Sequence, residues 1–192
     1  MLNQKLKNYK VILASGSPRR QQFFKDLQID FTVQVKPVDE VYPNHLKDTE
    51  ITDYLANLKA EAFTNLADNE LLITSDTIVW IHNKALGKPK NKEEAFYMLQ
   101  ELSGTSHQVI SSVSIKTNTF QKIVNDQTTV HFKKLTTKEI NFYINNYKPF
   151  DKAGAYGIQE WIGFIGITGI EGSYFNVVGL PVHKLYKELI NL

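Results

Sequence analysis

The passage from Val11 to Leu27 constrains the fold most. Val11-Ile12-Leu13 reads as a buried strand, and Gln21 to Leu27 reads as a helix with Phe23, Phe24 and Leu27 on its apolar side. The stretch between them, Ala14-Ser15-Gly16-Ser17, is a turn of small residues that opens the helix. Ser17 suits the N-cap, and Pro18 suits the first helical position, where its missing N–H had no partner. A strand feeding a helix through such a turn belongs to an α/β architecture. The turn aims free backbone N–H groups and the positive end of the helix dipole outward, which suits an anion. Arg19 and Arg20 add two permanent charges with donors matched to phosphate oxygens. A plainer reading stands beside this one, because many α/β proteins carry this turn and bind nothing there. The spacing matches neither GxxxxGK[ST] nor GxGxxG.

A second irregularity lies between Leu71 and Ile81. Two apolar runs, Leu71-Leu72-Ile73 and Ile78-Val79-Trp80-Ile81, flank Thr74-Ser75-Asp76-Thr77. Aspartate is poorly suited to strands, and an unpaired buried carboxylate costs several kcal/mol. Either a bulge or hairpin turn carries Asp76 to the surface, or a metal or a lysine compensates it in a cleft. The second is expected, since local rules fail most often at functional sites, and a hairpin at 74–77 would lack the usual Gly or Asn.

The other elements follow from periodicity. Phe31 to Lys36 alternates as a strand that ends at Pro37, with Asp39 and Glu40 in the loop beyond. Asp48 to about Leu66 is helical, with Ile51, Tyr54, Leu55, Leu58, Ala62 and Leu66 on one face and Lys59 at its edge. A lysine so placed ordinarily extends to water. Gly87 to Lys90 is a loop with Lys88 and Lys90. Asn91 and Glu94 form a capping box for a helix with Ala95, Met98, Leu99 and Leu102 inward, closed at Gly104. His107 to Thr117 and Phe120 to Phe132 alternate as a hairpin or antiparallel pair, with His107 on the strand surface. Thr136 and Glu139 form another capping box, for a helix with Ile140, Tyr143, Ile144 and Tyr147 inward. Asp151 to Gly179 is rich in Gly and Ala and reads as irregular backbone that can approach a ligand closely. Ser173 and Pro181 start two last short helices, the second with Val182, Leu185, Tyr186, Leu189 and Ile190 inward. There is no internal repeat, so residues 1–192 read as one domain with room for two lobes.

Composition excludes several chemistries. Without cysteine there is no disulfide, no thiolate zinc site and no Cys nucleophile. The five histidines form no HExxH pattern, and GxSxG is absent. The net charge of +2 comes from interspersed acids and bases, so neither nucleic acid nor a membrane surface is the expected partner. No apolar run reaches the roughly 20 residues of a membrane helix, and the start carries no usual signal peptide, which makes the cytoplasm the expected compartment. What remains is a set of cations at breaks in the pattern, Arg19, Arg20, Lys59, Lys88 and Lys152, with the carboxylates Glu40 and Asp76 in similar places. That set suits a triphosphate bound with a divalent metal of oxygen-ligand preference.

These blocks resemble the Maf proteins, also called septum formation proteins, which are nucleoside triphosphate pyrophosphatases. The resemblance rests on LASGSPRR (13–20), SDTIV (75–79), GKP (87–89), LSGTSHQV (102–109), DKAGAYGIQ (151–159) and EGSYFNVVGLP (171–181), six blocks in order over nearly the whole chain. It implies a mixed α/β, Maf/ITPase-like fold: an elongated twisted mixed sheet with flanking helices around a central cleft. It also implies a divalent cation, Mg²⁺ or Mn²⁺, and hydrolysis of an NTP to the monophosphate and pyrophosphate. By position, Asp76 corresponds to the proton acceptor. Ser15, Arg19, Arg20, Glu40, Lys59, Lys88 and Lys152 fall on phosphate- and metal-handling positions, with Glu40 and Asp76 as the metal pair. Arg19, Thr77 and Gln159 fall where subfamilies choose substrates, and this set is similar to the branch acting on dTTP and UTP, with removal of non-canonical or modified nucleotides as its implied role.

Two other readings stay open at this point. One is a nucleotide-binding regulator of cell division in which hydrolysis is incidental. The other is a pyrophosphatase for ITP, XTP or modified nucleotides. A homodimer is an expectation from analogy alone.

Overall fold

The computed structural model describes residues 1–192. In chain order the elements are α1 (Leu2–Leu6), β1 (Lys10–Leu13), α2 (Pro18–Asp26), β2 (Phe31–Val33), α3 (Thr49–Glu61), β3 (Glu70–Ile81), β4 (Lys84–Leu86), α4 (Lys92–Leu102), β5 (Ser106–Lys116), β6 (Gln121–Phe132), α5 (Thr137–Tyr147), a 3₁₀ turn (Ala153–Ala155), α6 (Trp161–Gly166), β7 (Ile167–Glu171), α7 (Tyr174–Val178) and α8 (Val182–Ile190). The seven strands form a mixed sheet in the order β2-β1-β3-β5-β6-β7, with β4 paired to β3. The mixed α/β class expected from the sequence is what the chain adopts. No helix is long and apolar enough to cross a membrane.

The chain divides into two compact units. The first comprises residues 1–76, 111–126 and 179–192. In it β1 runs parallel to both neighbours, with Leu13 opposite Val33 on β2 and Ile73 on β3. The core holds Val11, Leu13, Phe24, Leu71, Ile73, Val113, Ile115, Leu180, Leu185 and Leu189. Of the five residues expected inward on α8, Leu185 and Leu189 are buried, and Val182, Tyr186 and Ile190 pack against the same core only partly buried. A smaller cluster of Ile12, Ala60, Phe63 and Leu72 packs beneath α3.

The second unit comprises residues 77–110 and 127–178. Its core brings together Val79, Ile81, Ala95, Leu99, Leu102, Val109, Val130, Phe132, Ile140, Tyr143, Ile144, Tyr156 and Ile162. The predicted α4 stripe of Ala95, Met98, Leu99 and Leu102 is buried in full. Thr136 and Glu139 make both bonds of the capping box that opens α5.

Several local expectations are corrected. β3 is one unbroken strand of twelve residues, so the apparent break at Thr74 to Thr77 is no break in the strand, and the disfavoured turn there is absent. The hairpin turn lies beyond it at His82-Asn83, both with left-handed φ, and leads into β4. β2 stops at Val33, three residues short of the alternation, because its partner β1 ends at Leu13. α3 ends at Glu61 and turns Ile51, Thr52, Leu55, Ala56 and Ala60 inward, leaving Tyr54 exposed. At α4, Asn91 caps the Glu94 N–H, but the Glu94 carboxylate takes the Lys90 N–H instead of closing the box. Tyr147 is exposed. His107 is buried, 3% exposed, with Nε2 2.7 Å from the Tyr156 hydroxyl.

Candidate active site

The anion-suited turn is built as the sequence predicts. Beyond β1, the Ala14 N–H donates to the Ile73 carbonyl at 2.8 Å, which carries the turn alongside β3. The Ser17 side chain accepts the Arg20 N–H, and Pro18 opens α2. Ser15 is buried, and its Oγ accepts from the Ser17 N–H at 3.3 Å and from Arg20 Nη1 at 3.5 Å. Arg20 then reaches back across the first unit. Its Nε donates to the Gly179 carbonyl and its Nη1 to the Ser75 carbonyl, each at 2.8 Å. Burial works against this charge, Asp76 and Glu40 favour it, and neighbouring Arg19 opposes it, with a net lowering from the ordinary arginine value. An arginine tolerates such a shift and stays charged. The Arg20 guanidinium thus braces the turn against β3 and residue 179 as well as supplying charge. The two carbonyls that grip it are backbone groups and leave no mark in the sequence.

Asp76 sits inside β3, only 6% exposed. The compensation is a lysine: Lys59 Nζ lies 2.6 Å from Asp76 Oδ1. The same ammonium lies 3.0 Å from Glu40 Oε1. Lys59 stands in the last turn of α3, and its side chain is pinned rather than extended to water. Glu40 comes from the segment between β2 and α3 and is half exposed. Three groups far apart in the chain, at positions 40, 59 and 76, therefore meet in the first unit beside the arginine-bearing turn.

Two carboxylates that converge on one cation are a fitting donor set for a hard divalent ion. Mg²⁺ in particular is held by one or two carboxylates, with waters and substrate phosphates completing its shell. No group of three or more His, Asp or Glu side chains is arranged to hold a metal ion by itself. Glu40 and Asp76 could supply part of such a shell.

The remaining predicted residues belong to the second unit. Thr77 is half-buried on β3, and Lys88 is exposed on the loop that follows β4. The Gly154 N–H donates to the Gly87 carbonyl at 3.0 Å and ties that loop to the Gly/Ala-rich segment. Lys152 is 8% exposed, an unusual depth for a lysine. Its Nζ lies 2.7 Å from Asp151 Oδ1 and 3.1 Å from Glu160 Oε1. The Tyr143 hydroxyl donates to Glu160 Oε2 and accepts the Gly157 N–H at 3.0 Å. Gln159 is half-buried, and its Oε1 is enclosed with no hydrogen-bond partner.

Glu160 and Tyr143 are the functional candidates that sequence reasoning passed over. Glu160 follows the DKAGAYGIQ block directly, so a carboxylate beside a Gly-rich run was a usable signal. Tyr143 has helix-inward spacing and reads as core, and its hydroxyl acquires a polar task only through the fold.

Known proteins resemble the chain over nearly its whole length. The sequence profile of the family described as "Maf-like protein" matches residues 10–192. A protein of Flavobacterium johnsoniae named dTTP/UTP pyrophosphatase is 61% identical over 193 residues, covering 100% of each chain. One of the same name from Flavobacterium psychrophilum is 60% identical, covering 100% of this chain and 98% of its own. Among solved structures, a HAM1 protein from Coxiella burnetii matches with a TM-score of 0.54 at 16% identity, over 96% of this chain and 100% of that one. That likeness bears on the fold alone. The family match spans both units and every residue considered above, and the chain belongs to the Maf-like protein family.

Proposed function

We propose that this chain is a nucleoside triphosphate pyrophosphatase that hydrolyses dTTP and UTP to the nucleoside monophosphate and pyrophosphate in the cytoplasm. Full-length relatives bearing that name support the reading. The observation that carries it in this chain is Asp76, a buried carboxylate held 2.6 Å from Lys59, which also holds Glu40.

The residues divide the work by chemistry. The turn from Ser15 to Arg20, with Lys59, Lys88 and Lys152, neutralises phosphate oxygens, and this charge compensation is worth more where water is excluded. Glu40 and Asp76 would hold a divalent cation, Mg²⁺ or Mn²⁺, which when bound offsets the charge that builds on the phosphates. Asp76 takes a proton from the attacking water as its oxygen bonds to the α-phosphorus. The bond from that phosphorus to the bridging oxygen breaks, and pyrophosphate departs with the electron pair. Arg19, Thr77 and Gln159 select the base. An amide offers both a donor and an acceptor to a pyrimidine edge, and the unpartnered Oε1 of Gln159 supports that assignment.

The test is pyrophosphate release across canonical and modified NTPs, with and without Mg²⁺ and Mn²⁺. Turnover is expected with dTTP and UTP and only with metal. Asp76→Asn should lower kcat by about 10³-fold or more with its thermal midpoint kept. Tight binding of NTP without turnover would favour the regulator reading, and turnover confined to ITP, XTP or modified nucleotides would replace the substrate.

A further inference from the structure

We infer that Tyr143 and Glu160 are positioning residues that fix the Lys152 ammonium for its phosphate. The inference rests on the reading of Lys152 as a phosphate-neutralising group. It concerns residues to which neither the motifs nor the comparisons assign a role.

A lysine carries its charge on four flexible carbons, and an ammonium ordinarily stays in water. Lys152 is buried instead, and its two carboxylate partners are unequal. Asp151 is 57% exposed, so its attraction is weakened by solvent. Glu160 is 21% exposed and is itself held. The hydroxyl that holds it belongs to Tyr143, a fully buried side chain of α5 whose ring stacks on Tyr147 with centroids 5.1 Å apart. Burial, followed by the bond to the Glu160 carboxylate, pushes the Tyr143 phenol well above its ordinary value, so it stays a protonated donor at any working pH.

The relay is continuous. The Gly157 N–H donates to the Tyr143 oxygen, the Tyr143 O–H donates to Glu160, and the other Glu160 oxygen faces Lys152. The Gly157 backbone packs closely on both side chains: a Cβ there would stand 3.0 Å from Glu160 Cδ and 3.1 Å from Lys152 Cε. An ammonium has three donors. One donates to Asp151 at 2.7 Å, and the ammonium is paired with Glu160 at 3.1 Å, which restricts where the remaining donors point. A rigid helix thereby sets the aim of a side chain that would otherwise sample many rotamers, which is how a supporting residue serves a binding group.

The experiment is a double-mutant cycle on dTTP hydrolysis with Lys152→Ala, Glu160→Gln and both together, repeated with Tyr143→Phe. Thermal midpoints are recorded for every variant. Glu160→Gln is expected to lower kcat/KM about tenfold and Tyr143→Phe severalfold, each loss vanishing in the Lys152→Ala background. A purely structural role would leave the loss undiminished in that background, and this outcome would overturn the inference while Lys152 kept its assignment. Wild-type kcat/KM in Lys152→Ala would overturn the Lys152 assignment and the inference with it. Should Glu160→Gln fail to fold, the Tyr143→Phe cycle carries the same test.

Discussion

His107 shows what burial does to a titratable side chain in this protein. It lies against Tyr156 and Phe132, with ring centroids 5.4 and 5.6 Å away. Its Nε2 bonds the Tyr156 hydroxyl, and its Nδ1 is enclosed without a partner. Burial, helped by His131, pulls the imidazole down to about 4. The folded state therefore keeps His107 neutral where the unfolded chain has already taken up a proton. The stabilisation is complete above about pH 6.5 and is lost as pH falls toward 4, by up to about 3 kcal/mol. Urea unfolding at pH 7 and pH 4.5 should show this loss in the wild type, and His107→Gln should flatten it. Sequence could not place this residue, because alternation along β5 fixes which side chains share a face but not which face is covered. Asp76 was legible for the opposite reason. A carboxylate amid Ile and Leu violates the cost of burial wherever the strand lies, so a compensating cation was predictable, although Lys59 as its identity was not.

The elements form where local chemistry and packing agree. The α5 capping box and the α4 stripe were legible because both depend on spacing within a dozen residues. Thr74 to Thr77 reads as a break in β3 because its polar groups are satisfied from elsewhere. Thr74 Oγ1 donates to the Ala56 carbonyl on α3 at 2.6 Å, and Asp76 meets Lys59. β2 is shorter than its alternation predicts because a strand ends where its neighbour does, and that end lies on another segment. α1, β4 and β7 are short elements whose residues show no clear period in the sequence. The Gly/Ala-rich segment makes a sharper demand. Gly154 has a left-handed φ of +66°, and a Cβ there would lie 2.7 Å from Val79 Cγ2. Gly154→Ala combines backbone strain with overpacking of the second core, so a loss of about 2–4 kcal/mol is expected. Thermal unfolding measures the loss, and an unchanged midpoint would show that the segment adjusts without strain.

At the scale of the whole chain, two cores are threaded by one polypeptide. Each is assembled from segments distant in sequence, and the chain passes between units at residues 76/77, 110/111, 126/127 and 178/179. The first three passages lie within β3, β5 and β6, so unfolding one unit frays strands on which the other core depends. Unfolding should therefore be a single cooperative transition despite the two cores. The two tryptophans give a direct test. Trp80 and Trp161 both belong to the second unit, so their fluorescence reports that unit alone, while far-ultraviolet dichroism reports both. The urea transitions followed by the two signals should coincide. Leu189 is fully buried in the first core, and Leu189→Ala should destabilise the chain by about 2–5 kcal/mol. With shared strands, that change shifts the tryptophan midpoint as far as the dichroism midpoint, although no tryptophan lies in the altered unit. A fluorescence transition that stays in place while the dichroism transition splits would show instead that the units unfold independently.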